Sequence, residues 1–237
     1  MKVKQLIAPW AKDVAPVVDT LLTGELPDGC TVIYEGRNRV VKLCHEDRDI
    51  NIKSFRIPHI INRLVYTTLR HSKARRSYEN SLRLRNLGFN TPEPLAYVEI
   101  HHGPLLGKSY FVSQQLTGFH EMRSFLPGED IDRLADQLGA LIARLHDVGV
   151  WVKDFSQGNL LRRLDERNRY DFFMVDLNRM EFDVTDRRKL MKNFRTITED
   201  ERFWYKLVKA YARHAHIPYS EALAEAHTAA AYRFMKK

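Results

Sequence analysis

The sequence predicts an α+β protein in which a small antiparallel sheet comes first and a mainly helical half follows. Three short apolar segments separated by polar turns begin at Thr31 and predict a meander of strands over residues 31–34, 39–44 and 50–55. Apolar residues then recur at helical spacing from Pro58 to Leu87 and again from Asp130 to His146. A chain of 237 residues, 44% of them hydrophobic, is long enough to bury a sizeable core.

A second strand hairpin marks the expected boundary between two lobes. Gly88–Pro94 is a stop and turn, and the apolar segments 95–100 and 109–116 predict two strands that run into a linker at Gln114–Gly118. We therefore expect a first lobe of residues 1–116 and a helical second lobe of residues 117–237. Residues 1–29, with three prolines, are expected to be a peripheral lead-in to the first lobe.

Charge and cysteine content limit the classes of function. The formal net charge of +8 favours an anionic partner such as a nucleotide, nucleic acid, phospholipid headgroup or acidic glycan. The two cysteines, Cys30 and Cys44, provide neither a disulfide framework nor a metal site, which indicates a reduced, cytoplasmic environment. No apolar run approaches the roughly eighteen residues of a membrane-spanning helix, so any membrane association would be peripheral.

Residues 150–178 carry the pattern with the clearest chemistry. Asp154 and Asn159 stand five residues apart, and an apolar strand over 172–175 leads to Asp176. One carboxylate that takes a hydroxyl proton, with an amide oxygen and a second carboxylate that hold Mg²⁺ against a nucleotide, is the layout of a kinase catalytic loop and metal-binding hairpin. The five-residue spacing is weak evidence alone, but the flanking helix and strands make it selective. The sequence therefore predicts a two-lobed, protein-kinase-like fold.

One turn and one lysine of the predicted sheet are candidates for binding nucleotide phosphates. Gly36 would let the backbone of its turn approach a phosphate, although an ordinary hairpin turn explains the local sequence as well. Lys42 lies in Val-Val-Lys-Leu, which is similar to the kinase lysine motif, but it is only six residues past Gly36 and so lies on the second strand. Lys53 lies on the third strand, where kinases carry the phosphate-pairing lysine, and we choose it.

Residues 56–85 contain eight lysines and arginines but only one acidic residue, Glu79. On an exposed helix it would bridge to Arg76 and Arg83 in a weak surface interaction. In a kinase it would instead hold Lys53 toward the phosphates. The sequence leaves both possibilities open. The linker that begins at Gln114 would offer backbone groups to the edge of an adenine.

Together these segments resemble the bacterial lipopolysaccharide core kinases, a family that phosphorylates Kdo or heptose sugars and shares the protein-kinase fold. The resemblance runs from about Thr31 to Asn193, and it is strongest in residues 34–38, 52–55, 72–80, 91–97, 153–159 and 175–178. It implies ATP and Mg²⁺ as cofactors and assigns a role to each of five residues: phosphate contact by Lys53, positioning of that lysine by Glu79, proton acceptance by Asp154, and Mg²⁺ binding by Asn159 and Asp176. Leu177-Asn178 stands where protein kinases commonly have Phe-Gly.

The acceptor is expected to be a sugar and not a peptide. No Ala-Pro-Glu follows Asp176, which leaves little room for the segment that docks peptides. The resemblance implies a lipopolysaccharide core or lipid A–Kdo acceptor and no specific nucleic acid. A basic stripe would suit the anionic inner face of the membrane, although a solvated helix face is the alternative; the stripe consists of Arg56, Arg63, Arg70, Lys73, Arg75 and Arg76.

Two other functions fit the same features. Another small-molecule kinase, for example of an antibiotic or metabolite, would act without any lipid-linked glycan. A basic, non-catalytic relative of kinases that binds nucleic acid or membrane would not bind Mg²⁺-ATP, and its binding would depend steeply on salt.

Overall fold

Strands and two helices that cover them make up most of the described residues in the first half of the chain. The computed structural model describes residues 2–57 and 71–234. The chain divides into two units, Met1–Thr117 and Gly118–Lys237. The first unit contains, in order, β1 (Lys2–Ile7), α1 (Ala15–Leu22), β2 (Thr31–Glu35), β3 (Arg39–His45), β4 (Arg48–Phe55), α2 (Lys73–Asn86), β5 (Pro94–His102) and β6 (Leu105–Gln114).

All six strands belong to one antiparallel sheet of order β1-β5-β6-β4-β3-β2. The predicted meander forms as β2, β3 and β4, and the predicted hairpin forms as β5 and β6. The turn between β3 and β4 is tight, because Glu46 and Asp47 both have positive φ angles, 47° and 62°, as short hairpin turns require.

Helices α1 and α2 cover opposite faces of this sheet. Tyr97 on β5 is paired with Phe111 on β6, so these two side chains lie on the same face of the sheet. Tyr110, the residue before Phe111, points to the other face. The Tyr97 ring lies 5.5 Å from the ring of Tyr78 on α2. The Tyr110 hydroxyl donates a hydrogen bond of 2.9 Å to the carbonyl oxygen of Gly24, just past α1. Each face of the sheet therefore has its own helix.

The N-terminal segment is part of the core, and our expectation of a peripheral lead-in was wrong. Strand β1 pairs along its whole length with β5, from Lys2 opposite His101 to Ile7 opposite Ala96. Helix α1 and the residue before it bury their apolar side chains completely or nearly so. These residues are Val14, Val17, Val18 and Leu21. Without this segment one face of the sheet would expose a broad apolar surface to water.

The helical structure predicted for residues 58–87 is observed where the structure describes it, as helix α2. Ser72 caps the start of α2, where its hydroxyl accepts a hydrogen bond of 3.0 Å from the backbone N–H of Arg75. The predicted helical segment at 58–70, which includes Arg63 and Arg70 of the basic stripe, lies outside the described residues.

The described residues of the second unit are mainly helical, with two small sheets. Its elements are β7 (His120–Glu121), α3 (Ile131–Asp147), β8 (Trp151–Val152), β9 (Leu160–Leu164), β10 (Tyr170–Met174), β11 (Met180–Glu181), α4 (Arg187–Leu190), α5 (Glu201–His214) and α6 (Tyr219–Phe234). The order of one sheet is β10-β9-β7, and β11 pairs with β8.

Helix α3 carries the chain into the predicted catalytic loop. The Asp130 carboxylate caps its first turn by accepting a hydrogen bond of 3.0 Å from the N–H of Arg133. Its apolar stripe packs against α5, with Leu134, Leu138, Ile142 and Leu145 fully buried. The helix ends before Gly149, which has a φ of +67° that few other residues adopt easily.

Within residues 2–57 and 71–234, no helix combines the length and the apolar character that crossing a membrane would take.

Candidate active site

The loop between β8 and β9, residues 153–159, carries the predicted proton acceptor. Phe155 is 1% exposed and anchors the loop in the core. The hydroxyl of Thr196 donates a hydrogen bond of 3.0 Å to the Phe155 carbonyl oxygen, and the N–H of Ser156 donates one of 2.8 Å to the Asp154 carbonyl oxygen. The backbone is therefore held, while the Asp154 carboxylate remains 36% exposed and accessible to a substrate hydroxyl.

Asn159 is fixed to the same loop by its amide group. Its Nδ2 donates a hydrogen bond of 2.9 Å to the carbonyl oxygen of Asp154, five residues earlier. Because the amide nitrogen is used here, the Oδ1 atom on the other side of the amide remains an acceptor. The spacing between Asp154 and Asn159 thus has a direct structural cause.

The strand that leads to Asp176 returns to Asn159. Strands β9 and β10 pair antiparallel, with Met174 opposite Leu160. One residue further, the N–H of Val175 donates a hydrogen bond of 2.9 Å to the Asn159 carbonyl oxygen. The structure thereby brings three of the predicted residues, Asp154, Asn159 and Asp176, into one loop and hairpin.

Asp176 has a backbone conformation that is uncommon for residues other than glycine. Its φ and ψ are 61° and 49°, in the left-handed region. Its Oδ1 accepts a hydrogen bond of 2.6 Å from Nδ2 of Asn178. Leu177 and Asn178 are 2% and 6% exposed, so the turn after Asp176 is anchored in the core. Such local strain is common at functional sites, where the surrounding structure holds it.

Arg179 contacts the predicted proton acceptor. Its Nη1 lies 3.2 Å from each carboxylate oxygen of Asp154. The antiparallel pairing of β11 with β8 places Met180 opposite Val152, so Arg179 lies beside the start of the catalytic loop. The sequence argument missed Arg179, and it assigned no role to Asn178. The only sequence signal was the polar pair Asn178-Arg179 directly after the metal-binding motif.

The oxygens of Asn159 and Asp176 fit Mg²⁺. Magnesium prefers oxygen ligands and is often held by one or two carboxylates together with substrate phosphates, so a large protein cage is unnecessary. No group of three or more histidine, cysteine, aspartate or glutamate side chains that could hold a metal ion occurs in the described part of the chain.

Lys53 lies on β4, the third strand of the meander, as the sequence predicted. It is paired with Val40 on β3 and with Phe111 on β6. Since Phe111 is in turn opposite Tyr97, Lys53 points to the face of the sheet that α2 covers. Its Nζ lies 5.5 Å from the centre of the Phe55 ring. The competing Lys42 lies on β3 and is exposed.

Glu79 lies on α2, which covers the same face of the sheet as Lys53. Its carboxylate accepts hydrogen bonds of 2.8 Å from Nε of Arg75 and lies 2.8 Å from Nδ1 of His71. Burial opposes ionisation of this group, but the hydrogen bonds and charges of Arg75 and His71 outweigh it, so the pKa of Glu79 is below its usual value. Arg76 and Arg83 were the partners expected on an exposed helix; Arg75 and His71 are the partners seen at the carboxylate.

Gly36 and Gln114, the two remaining predicted nucleotide-binding residues, lie in a turn and at the end of a strand. Gly36 begins the tight turn between β2 and β3, and its N–H donates a hydrogen bond of 3.1 Å to the Asn38 carbonyl oxygen. Gln114 is the last residue of β6, and its N–H donates one of 2.9 Å to the Glu93 carbonyl oxygen. That N–H is therefore not available to an adenine, and contact with a base stays a prediction for other groups of the linker.

Comparison with solved structures shows similarity to known kinases. WaaP in complex with acyl carrier protein has a TM-score of 0.62 and 18% identity, with 100% of this chain and 98% of that chain covered. An aminoglycoside-3'-phosphotransferase of type VIII gives 0.61 and 12%, covering 92% and 98%. The Rio2 kinase–ADP/Mg²⁺–phosphoaspartate complex from Chaetomium thermophilum gives 0.55 and 17%, covering 88% and 65%. The predicted protein-kinase-like α+β fold is confirmed.

Sequence comparison identifies the family. No curated protein matches the sequence significantly. A family model described as the lipopolysaccharide kinase (Kdo/WaaP) family matches residues 35–211, which contain all seven predicted site residues. Because this match spans most of the chain, the protein belongs to the lipopolysaccharide kinase (Kdo/WaaP) family.

Proposed function

We propose that this kinase uses ATP and Mg²⁺ to phosphorylate a Kdo or heptose hydroxyl of the lipopolysaccharide inner core. The observation that carries the proposal is the catalytic loop, in which Asn159 is bonded to Asp154 and to the strand that ends before Asp176. The family supports a lipopolysaccharide acceptor.

In the proposed reaction Asp154 accepts the proton of the acceptor hydroxyl. The acceptor oxygen forms a bond to the γ-phosphorus while the bond from that phosphorus to the bridging oxygen breaks, and ADP leaves. A positioned base of this kind contributes about 10²- to 10⁴-fold in rate. The remaining acceleration comes from alignment of the two substrates and from neutralisation of phosphate charge.

Four side chains would contribute to this charge neutralisation, either directly or by holding a charged partner. Lys53 contacts the nucleotide phosphates, and Glu79, which is held ionised by Arg75 and His71, is the candidate to orient it. Asn159 and Asp176 would hold Mg²⁺, which would offset the negative charge of the nucleotide phosphates.

The chain after the metal-binding hairpin favours a small acceptor over a peptide. Strand β11 ends at Glu181 and helix α4 begins at Arg187, so only residues 182–186 separate them. The N–H of Val184 in this connection donates a hydrogen bond of 2.9 Å to the Gly149 carbonyl oxygen, which ties it to the end of α3. A segment this short and this constrained offers little surface for a peptide. We place the enzyme in the cytoplasm, with the acceptor at the inner face of the membrane.

Mass spectrometry of lipopolysaccharide tests the proposal. A strain that produces the protein should show core species heavier by one phosphate than those of a strain that lacks it, and tandem fragmentation should locate the phosphate on a Kdo or heptose. Identical core masses in the two strains would contradict the proposal.

Nucleotide binding separates the proposed enzyme from the non-catalytic alternative. A ligand that prefers the folded state raises the melting temperature, so Mg²⁺-ATP should stabilise a kinase and leave a simple binder unchanged. If Mg²⁺-ATP binds but no lipopolysaccharide is phosphorylated, a different small-molecule acceptor becomes the better explanation.

A further inference from the structure

We propose that Arg179 is a positioning residue, which holds the Asp154 carboxylate in the orientation that accepts the acceptor proton. The inference rests on the proposed function, in which Asp154 is the base. It starts from the contact of Arg179 Nη1, at 3.2 Å, with both carboxylate oxygens of Asp154.

The backbone around Arg179 makes this contact a built feature of the fold. The left-handed conformation of Asp176 turns the chain sharply, and residues Leu177–Arg179 then form a single 3-10 turn. Leu177 is buried and anchors that turn, and the pairing of Met180 with Val152 fixes its far end beside the catalytic loop. Arg179 is thus held at its backbone on one side of Asp154 by two independent anchors.

Stability does not explain the pair. The side chains of Arg179 and Asp154 are 47% and 36% exposed, and ion pairs as open to water as this contribute at most about 1 kcal/mol. A guanidinium beside the carboxylate does, however, restrict the rotation of a side chain that is otherwise accessible on several sides. One nitrogen occupies only part of the lone-pair capacity of the carboxylate, which leaves acceptor positions for a substrate hydroxyl.

The residues after Asp176 therefore have separate tasks. Leu177 fills the core, Asn178 fixes the Asp176 carboxylate by a hydrogen bond of 2.6 Å, and Arg179 fixes the Asp154 carboxylate. This explains why Leu-Asn-Arg serves here in place of Phe-Gly: two consecutive polar residues orient the metal ligand and the base from the same turn.

A neighbouring ion pair provides a matched control. Arg163 on β9 and Asp171 on β10 also lie 3.2 Å apart, and their side chains are 50% and 39% exposed. The pair has the same chemistry, distance and exposure as Arg179 and Asp154, but neither member belongs to the proposed active site. Arg163→Ala therefore reports what the loss of such a pair does, together with the loss of the contact of Arg163 with the Phe119 ring, whose centre lies 4.6 Å from its Cζ.

The test compares steady-state kinetics of four variants with those of the parent, on Mg²⁺-ATP and deacylated core oligosaccharide. Because misplacement of a catalytic group by about 1 Å costs up to 10²-fold, Arg179→Ala should lower kcat about 10- to 100-fold. The KM values for both substrates and the melting temperature should stay close to those of the parent. Arg179→Lys, which keeps the charge, should recover part of the loss, and Arg163→Ala should match the parent.

A double mutant shows whether Arg179 acts through Asp154. If it does, Asp154→Asn and the combination of Asp154→Asn with Arg179→Ala should have the same kcat, since a residue that acts through another has no effect once that partner is gone. Losses that multiply in the double mutant would overturn the inference. So would a raised KM with an unchanged kcat, which would assign Arg179 to substrate binding, or an Arg179→Ala variant as active as the Arg163→Ala control.

The outcomes separate this inference from the proposed function. A parent enzyme without phosphotransfer, or an Asp154→Asn variant with full activity, overturns the proposed function and the role of Arg179 with it. An active parent and an impaired Asp154→Asn variant, combined with a normal Arg179→Ala variant, overturn the role of Arg179 alone.

Discussion

Single side chains of the proposed site are oriented by partners that contribute little to stability. Asp154 meets Arg179 and Asp176 meets Asn178, and neither carboxylate is fully buried. An ion pair as exposed as that of Arg179 and Asp154 has a small effect on the free energy of folding. The effect of both contacts on activity is expected to be larger, because phosphoryl transfer depends on how precisely charges and reacting atoms are aligned.

Lys53 and Lys42 form a natural pair for testing the phosphate contact. Both are lysines of the same sheet, but Lys53 lies on β4 and Lys42 lies exposed on β3. Loss of one preorganised charge at the transferring phosphate should lower kcat/KM about 10²- to 10³-fold in Lys53→Met. Lys42→Met is the control and should behave as the parent. Steady-state kinetics measure both variants. A kcat/KM that is lowered in Lys42→Met and unchanged in Lys53→Met would show that Lys42 is the lysine that contacts the phosphates.

His146 predicts a specific pH dependence of stability. Burial, with repulsion from Arg187, lowers its pKa to about 3. Its Nδ1 lies 3.0 Å from the Tyr211 hydroxyl, and Nε2 lies 3.3 Å from Nδ2 of Asn193, which can donate to it when the ring is neutral. The neutral ring therefore stabilises the fold above the unfolded pKa near 6.5, and this contribution is lost as the pH falls through that value toward 3.

Urea denaturation at two pH values measures this effect. The free energy of unfolding should fall by about 1 to 2 kcal/mol between pH 7 and pH 5, a range above the titration of most carboxylates. In His146→Gln, which keeps hydrogen-bonding capacity but does not titrate, this fall should be smaller. An equal fall in parent and variant would mean that other groups cause it.

The sequence predicted which residues come together in the loop and hairpin better than it predicted their partners. Asp154, Asn159 and Asp176 were found from their spacing, because that spacing results from a loop and a hairpin of nearly fixed length. Arg179 was missed because β8 and β11 have two residues each, too few for any periodic pattern. His71, one partner of Glu79, was missed because it lies before the helix begins and helical spacing does not include it. Arg75 does lie at helical spacing, four residues before Glu79, but Arg76 and Arg83 were expected in its place.

Among the elements, β9 is joined to the segment before α3 by a buried ion pair. Arg162 on β9 donates hydrogen bonds of 2.7 and 2.6 Å to the two carboxylate oxygens of Glu129, and their side chains are 1% and 3% exposed. Arg162 also donates one of 2.8 Å to the Ser124 carbonyl oxygen. Since β9 starts directly after Asn159, this pair stabilises the base of the catalytic loop.

Removal of one charge from this pair should be costly. In Glu129→Gln the Arg162 guanidinium stays buried without its anion, which should lower the free energy of unfolding by about 3 to 5 kcal/mol. Asp171→Asn removes the partner of the exposed neighbour Arg163, so it should cost at most about 1 kcal/mol. Urea denaturation of both variants measures the difference, and equal small effects would show that burial does not strengthen the dependence on Glu129.

The basic stripe is a prediction that depends chiefly on its sequence. Arg63 and Arg70 lie outside the described residues, Arg56 is exposed, and Arg75 is directed to Glu79. Each basic residue near an anionic membrane contributes about 1 kcal/mol, so Arg63→Glu with Arg70→Glu should weaken sedimentation with vesicles that contain phosphatidylglycerol and raise the acceptor KM. Binding and KM equal to those of the parent would favour a solvated face.

The elements that the sequence failed to predict are those that tertiary contacts create. Strand β1 contains Lys2, Lys4 and Gln5 among its apolar residues and becomes a strand through its pairing with β5. Helix α1 has only eight residues, so its periodic signal is weak, yet the sheet buries one side of it. The longer helix α3, with its cap at Asp130 and its apolar stripe, was predicted to within one residue at either end.

At the scale of the whole molecule, the family match and the fold comparison both identify a kinase-like protein. The family match covers residues 35–211 and thus includes both strand β4, which carries Lys53, and the loop that carries Asp154. The similar solved structures, at 12% to 18% identity, show the fold alone. The kinase activity follows from family membership, and the acceptor must be argued from the site because one fold can carry different functions.

Transfer of phosphate from Mg²⁺-ATP to deacylated lipopolysaccharide core, followed for the parent and for Asp154→Asn, tests the account most directly. The parent should add one phosphate to a Kdo or heptose. The variant, equally folded by its melting temperature and still able to bind Mg²⁺-ATP, should be slower by about 10²- to 10⁴-fold. A variant as fast as the parent would contradict the assignment of Asp154, and a parent that leaves the sugar unmodified would contradict the proposed function.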